Sequence, residues 1–300
     1  MTQSPAFQPL AGIYEPSAIQ QLADGRFLVV EDEKEYPFSL VRLSLDGRVA
    51  SQPLRQGWLD FDDAFWKLDD LEGLALGPDG LIYAITSHSR SGDGDEKKAR
   101  DKLVRFRIEG DRVVERQVSK GLKPVLRAAH PVLAQAAEVR DVKGEGGLNI
   151  EALEFTADGL LVGLRGPLLD GRAVLIRIGN PEALFKGGDP ATTLTTLDLD
   201  GHGLRGLSWL PALGGYLAIA GPVARAAVPF RLWFWSGRAD QPARRVEVPG
   251  LAGFEHAEGV CPALIEGRER IVMVSDDGNR DEGRFARFVV LEPGQLRIAA

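Results

Sequence analysis

With one cysteine, two methionines and four histidines among 300 residues, the chain is poor in the side chains that most often carry thiol, zinc or redox chemistry. The lone thiol, Cys261, excludes an intramolecular disulfide framework, and a single cysteine serves more readily as a small buried hydrophobe than as a nucleophile. The histidines at 88, 130, 202 and 256 form no H-E-x-x-H pair and sit beside no cysteine cluster, which argues against a zinc site of familiar spacing. There is no G-x-S-x-G elbow, no P-loop and no G-x-G-x-x-G, so the standard serine-hydrolase and nucleotide-binding readings fail. No window of about 18 apolar residues exists to span a membrane. The start, "MTQSPAFQPLAGIYEPSAI", has no basic stretch followed by a long apolar core, and the expected location is cytoplasmic, a reducing compartment. The net charge is −7 and the basic residues are scattered, so nucleic acid is not an expected partner.

What the chain does contain is a divergent repeat. "LEGLALGPDGLIYAITSHS" (71–89) and "IEALEFTADGLLVGLRGPL" (150–168) share a head glutamate, a D-G turn and an apolar second run. The pattern returns as "LRGLSWLPALGGYLAIAGP" from Leu204, as "AEGVCPALIEGRERIVMVSDDG" from Ala257 and as "PSAIQQLADGRFLVVEDE" from Pro16. Each copy reads as strand, tight turn, strand, with turns at Asp24-Gly25, Asp79-Gly80, Asp158-Gly159, Gly214-Gly215 and, on poorer residues, Glu266-Gly267. Third and fourth strands follow, as in "SLVRLSLDGRVASQPL" and "RLWFWSGRADQPARRVEV". Four antiparallel strands repeated radially describe an all-β fold, the β-propeller.

Spacing tests this. With Ser17, Glu72, Glu151, Arg205 and Glu258 taken as equivalent, the steps are 55, 79, 54 and 53 residues. The surplus falls at 121–145, where "LKPVLRAAHPVLAQAAEVRDV" reads as helix broken near Pro131. The 42 residues after Glu258 and the 16 before Ser17 together make one further blade's complement. The N-terminal "FQPLAGI" is therefore expected to supply the outer strand of the last blade, leaving no open edge. The expectation is a single domain over 1–300 with five four-stranded blades, six being the alternative.

In such a blade the innermost strand starts, and the second strand ends, on one face of the disc. First-strand heads offer Ser17, Glu72, Glu151, Arg205 and Glu258; second-strand ends offer Glu31, Asp32, Ser87, His88, Arg165, Asp276 and Asp277. These are expected to converge in a polar cup at one mouth of the central channel. Three glutamates around one axis repel unless they are paired with arginine, protonated or bridged by a cation. Arg165 and Arg205 offer bidentate pairing. Calcium or magnesium, held by Glu72, Glu151 and Glu258, is the other way to offset the charge. A ring of this kind also serves simply to fasten blades together.

Smaller signals border the cup. "SHSRSGDGDEKKARDK" (87–102) is a long polar connection on the same face, suited either to covering an anion or to lying solvated. "SDDGNRDEGR" and "GDGDE" lack the spacing of a complete EF-hand and read as turns. His256, between Glu255 and Glu258, would need a carboxylate to orient it as a base.

The pieces "DLEGLALGPDGLIYAITSHSR", "LNIEALEFTADGLLVGLRGPLLDGRAVLI", "GLRGLSWLPALGGYLAIAGP" and the late "AEGV" followed by "MVSDDG" resemble a bacterial family known as domain of unknown function 3616. That resemblance spans nearly the whole chain and implies a propeller-like protein with no established activity. More distantly the E-G-L and P-D-G pattern resembles the phytase-like and esterase-like propellers, several of which bind calcium and hydrolyse phosphate esters. Their dense acidic clusters have no clear match here, and Arg165 and Arg205 depart from that pattern.

Two functions follow as expectations. In the first, the cup binds a small anionic or polar molecule and hydrolyses a phosphate or carboxylic ester, with a divalent cation as cofactor. Arg165, Arg205 and His88 would hold the anion, with Asp32, Ser87, Arg90 and Asp276 around it. Glu72, Glu151 and Glu258 would bind metal or activate water, with His88 as a further catalytic group. In the second, the propeller is non-catalytic, the charge ring is structural, and the 87–102 loop or the 121–145 insertion meets a protein partner.

Overall fold

A computed structural model describes residues 4–32, 35–57, 63–224, 228–254 and 256–300. The alternating apolar runs form five antiparallel sheets around one axis. Blade 1 runs outward through Pro16–Gln21, Phe27–Glu31, Phe38–Leu43 and Val49–Pro53. Blade 2 comprises Leu71–Leu76, Ile82–Thr86, Leu103–Glu109 and Arg112–Ser119. Blade 3 comprises Asn149–Thr156, Gly159–Gly166, Ala173–Ile178 and Thr192–Leu197. Blade 4 comprises Gly203–Leu210, Gly215–Gly221, Arg231–Trp235 and Arg244–Glu247. Blade 5 comprises Ala257–Ile265, Arg268–Ser275, Arg287–Leu291 and, from the other end of the chain, Gln8–Pro9. The protein is thus a five-bladed propeller, and the six-bladed alternative falls away.

Closure follows the expected route. Gln8 pairs with Phe288 and Pro9 with Arg287, so the first strand completes the last blade. A second tie was not anticipated: Arg297–Ile298 adds a fifth strand to blade 4 by pairing Ile298 with Val246 and Arg297 with Glu247. A two-residue strand is too short to show a period of two. At the turn that looked weakest, Ile265 pairs directly with Arg268, and Glu266 and Gly267 take φ of 51° and 72°. Positive φ at both central residues is what a two-residue type I′ hairpin requires.

Between blades 2 and 3 the surplus residues fold as helices Leu122–Ala129, Pro131–Glu138 and Val142–Glu145. Pro131 opens the second of these, where its missing N–H is of no consequence, so the predicted break lies at the proline. Leu122, Val125, Leu126, Leu133 and Ala137 pack into the same core as Leu103, Ile150 and Leu164. The insertion is thereby fixed to the body and brings Asp141 and Val142 to the rim of the axis.

Hydrophobic clusters occupy all five interfaces between neighbouring blades. Phe27 and Phe288 lie between blades 1 and 5, and Phe38, Phe65 and Phe106 between blades 1 and 2. Trp233 and Leu175 lie between blades 4 and 3, and Leu232 and Met273 between blades 4 and 5. Fully burying one such side chain contributes about 1.5–3 kcal/mol, so the ring is held mainly by these blade-to-blade contacts. None of the described helices is long and apolar enough to cross a membrane.

Candidate functional site

Every inner strand carries one extra residue near its start. Pairing jumps from Pro16 to Ala18, Leu71 to Gly73, Ile150 to Ala152, Leu204 to Gly206 and Ala257 to Gly259, while the partner strand advances by one. The residues left over are Ser17, Glu72, Glu151, Arg205 and Glu258. A β-bulge of this kind re-aims one side chain out of the alternation, and here it turns all five toward the axis. The residue after each bulge is Ala18, Gly73, Ala152, Gly206 or Gly259, because neighbouring inner strands nearly touch there. A Cβ on Gly206 would stand 2.0 Å from the Glu258 carbonyl oxygen.

The five bulge residues line one cavity of about 420 Å³, together with Asp32, Asp70, Ser89, Arg90, Ser91, Gly92, Arg100, Asp141, Val142, Asn149, Arg165, His256 and Asp276. That volume lies within the usual range for small-molecule sites. Most of the lining is charged, and the charges divide into matched and unmatched groups.

The matched group centres on Glu151, which is 3% exposed. Its Oε1 accepts from Asn149 Nδ2 at 2.7 Å and from Arg165 Nη1 at 3.1 Å, and its Oε2 accepts from Arg205 Nη1 at 2.9 Å. The same Arg205 Nη1 donates to Glu258 Oε1 at 2.8 Å, so one guanidinium on blade 4 clamps carboxylates from blades 3 and 5. Arg165 also donates from Nε to the Pro222 carbonyl at 3.1 Å. Burial works against ionised Arg205, but Glu151, Glu258 and Glu72 outweigh it and hold the guanidinium above its ordinary pKa. On blade 2, Asp70 Oδ2 accepts from Arg100 Nη1 at 2.8 Å, from Ser89 Oγ at 3.1 Å and from Ser87 Oγ.

The unmatched group is acidic. The side chains of Glu72 and Asp276 have no hydrogen-bond or ion-pair partner among the described residues. Burial, then the carboxylates of Glu151, Asp70, Glu258 and Asp32, pushes the Glu72 pKa well above the ordinary carboxyl range. Burial and Glu15 push Asp276 up to about 6 against the pull of Arg205. Asp32, at the exposed rim of the cavity, accepts the Asp70 amide at 3.0 Å, and partial desolvation with Asp70 beside it raises its pKa to about 7. Glu258 is also raised, by burial and by Asp276, despite its bond to Arg205.

The structure brings together Glu72, Glu151, Glu258, Arg165, Arg205, Asp32, Arg90 and Asp276 around this cavity. It does not bring in His88 or Ser87. His88 adopts φ 57°, is 1% exposed, and turns its ring back so that Nδ1 meets the Thr86 carbonyl at 2.8 Å. Burial lowers its pKa to about 4, so it is a neutral core histidine. Ser87 is fully buried behind Asp70. Arg90 reaches the cavity wall, but its guanidinium is spent on the Ala137 and Gly94 carbonyls and on Glu138. The 87–102 loop is therefore bound to the helical insertion. Glu31 turns inward to the Tyr14 amide and Ser39 hydroxyl, and Asp277 pairs with Arg287. His256 lines the cavity; Glu255 lies outside the described residues.

A metal site at Glu72, Glu151 and Glu258 is not shown. Among the described residues no three His, Cys, Asp or Glu side chains are grouped to hold a metal ion, and the Arg205 guanidinium stands between Glu151 and Glu258. Asp70, Ser89, Ser91, Arg100, Asp141 and Asn149 are lining residues that strand-end counting missed, because loops and the insertion supply most of them. Asn149 heads its strand two residues before the bulge, a position that counting could have reached.

Comparison with known proteins bears on the fold and family. A Thermus thermophilus protein described as an oxidoreductase (glucose dehydrogenase) by resemblance is 16% identical, covering 96% of this chain and 100% of that one, with a TM-score of 0.48. The PQQ-bound aldose sugar dehydrogenase of Streptomyces coelicolor is 16% identical over 95% of this chain and 96% of its own, at 0.46. The PQQ domain of Coprinopsis cinerea pyranose dehydrogenase is 10% identical over 95% and 94%, at 0.42. At such values these likenesses carry no argument about the site. No curated protein matches. The family model described as protein of unknown function (DUF3616) matches residues 133–290, more than half of the sequence, and the chain belongs to that family.

Proposed function

We propose that the cup is the binding site of a small polar molecule and that Glu72 is its acid–base group. One observation carries this reading: Glu72 is aimed at the axis by its bulge and its carboxyl has no partner among the described residues, while the neighbouring bulge charges are matched to one another. A ring that served only to fasten blades would gain nothing from an unpaired carboxyl among other carboxyls, and strain of that kind is retained where function uses it. Burial and the surrounding carboxylates raise the Glu72 pKa, so this carboxyl holds its proton more tightly than an ordinary one. With water and a carboxylic ester in the cup, Glu72 would take a proton from the water as it adds to the carbonyl and return it to the leaving alkoxide. A phosphate ester suits the cup less well, since it would have to displace a carboxylate from Arg165 or Arg205.

The test compares two isosteric variants without any ligand. Glu72→Gln should melt at or above the wild-type temperature, because it removes an unpaired carboxyl that lies among other carboxyls. Glu151→Gln should melt below it. A Glu72→Gln protein that loses as much stability as Glu151→Gln would make the ring a fastener throughout and overturn the reading. A panel of carboxylic esters, assayed with wild type and Glu72→Gln, then tests the chemical step.

A further inference from the structure

The arginines that line the cavity each already carry an ion pair. Arg205 joins Glu151 and Glu258, Arg165 joins Glu151 and the Pro222 carbonyl, and Arg100 joins Asp70 and, at 3.5 Å, Asp69. The unmet groups have the opposite character. Seven carboxyls line the cavity against four arginines, and the side chains of Glu72 and Asp276 have no partner among the described residues. Asn149 adds an observation independent of charge. It is 7% exposed, its Nδ2 is held by Glu151, and its carbonyl Oδ1 has no partner among the described residues. It is thus a buried acceptor without a donor on a residue that lines the cavity. Among the fully buried side-chain atoms of the described lining, the donors without a partner are Nε of Arg100 and of Arg205, which belong to guanidiniums each paired with two carboxyls.

Building on the reading of the cup as a ligand site, we infer that its ligand is a small organic cation bearing an ammonium or guanidinium group, and not an anion or a metal ion. A bare metal ion needs its oxygen ligands within one coordination sphere, and the described carboxyls form no such cluster. A polyatomic cation spans the wider spacing, places N–H donors against several acceptors and offsets the surplus negative charge at the same time. The cavity of about 420 Å³ admits such a molecule.

Thermal melts of the whole protein at constant ionic strength test this with simple probes: 1,3-diaminopropane and ethanolamine as cations, 1,3-propanediol as the neutral match, phosphate and formate as anions, calcium and magnesium as metals. The expected result is a saturable rise in melting temperature with the amines and none with the other probes. Glu72→Gln and Asp276→Asn should each weaken the diamine by about tenfold or more, the usual scale for losing one charge-assisted contact. A propanediol shift equal to that of the diamine, a saturable phosphate or calcium shift, an amine shift unchanged in both variants, or no amine shift would each overturn the cationic class. None of these results touches the ligand-free comparison of Glu72→Gln with Glu151→Gln, so the two readings fail separately.

Discussion

Replacing Glu151 by glutamine tests the matched half of the cup. The variant keeps the shape and one carbonyl acceptor but loses the charge that faces Arg165 and Arg205, and it turns an amide NH2 toward one of them. Breaking a buried ion pair by neutralising one partner destabilises by about 3–5 kcal/mol. Two features of the site reduce that figure. Arg205 retains Glu258 at 2.8 Å and Arg165 retains the Pro222 carbonyl, so neither guanidinium is left bare. Removing the Glu151 charge also relieves Glu72, whose raised pKa owes more to Glu151 than to any other charge. A net loss of about 2–3 kcal/mol remains. At about 2.1 cal/mol/K per residue, a chain of 300 residues unfolds with an entropy near 0.6 kcal/mol/K, so the melt should fall by about 3–5 °C. Calorimetry, with urea unfolding as a check, measures it. A Glu151→Gln melt within about 1 °C of wild type would refute the claim that this carboxylate joins blades 3 and 4.

Other outcomes are expected elsewhere. Asp32 and Asp276, raised to about 7 and 6, contribute stability that is full below their ordinary value of 3.8 and lost as pH rises through the folded values. Asp32→Asn/Asp276→Asn should therefore gain on wild type between pH 4 and 7 in melts across that range, a comparison that removes the opposite contribution of buried neutral His88. Gly206→Ala should cost about 3 kcal/mol or more, because its Cβ meets the Glu258 carbonyl oxygen at 2.0 Å and backbone must move; urea unfolding would show it. His88→Asn, which tolerates the left-handed backbone, should leave diamine affinity within about twofold of wild type in a melt titration, since the ring does not line the cup.

Much of the cup was within reach of the sequence once ring order is considered. Around the axis the bulge residues run Ser17, Glu72, Glu151, Arg205, Glu258, so Arg205, the one cation of the ring, has a glutamate on each side and Glu72 has no cationic neighbour. The observed pairing follows that order. The small residue after each bulge, always alanine or glycine, marks the same positions. His88 was misplaced because a left-handed residue at the end of its strand reverses the direction that strand alternation assigns. Arg90 lines the cavity as expected from its strand end, but the carbonyl that engages its Nε belongs to a helix 47 residues away, a contact that strand order does not show.

The sequence by itself determined the repeating blade, with five copies and six as the alternative, the hairpins, the helix boundary at Pro131 and the closing N-terminal strand. These depend on interactions between residues close along the chain, or on lengths that a closed ring has to satisfy. Tertiary structure decided which carboxyls are neutralised, which remain alone, and that the arginines are already occupied. Those outcomes depend on approaches of a few ångströms between blades more than 50 residues apart, where burial strengthens each charge–charge interaction and a single bulge chooses whether a side chain meets its partner or faces the axis.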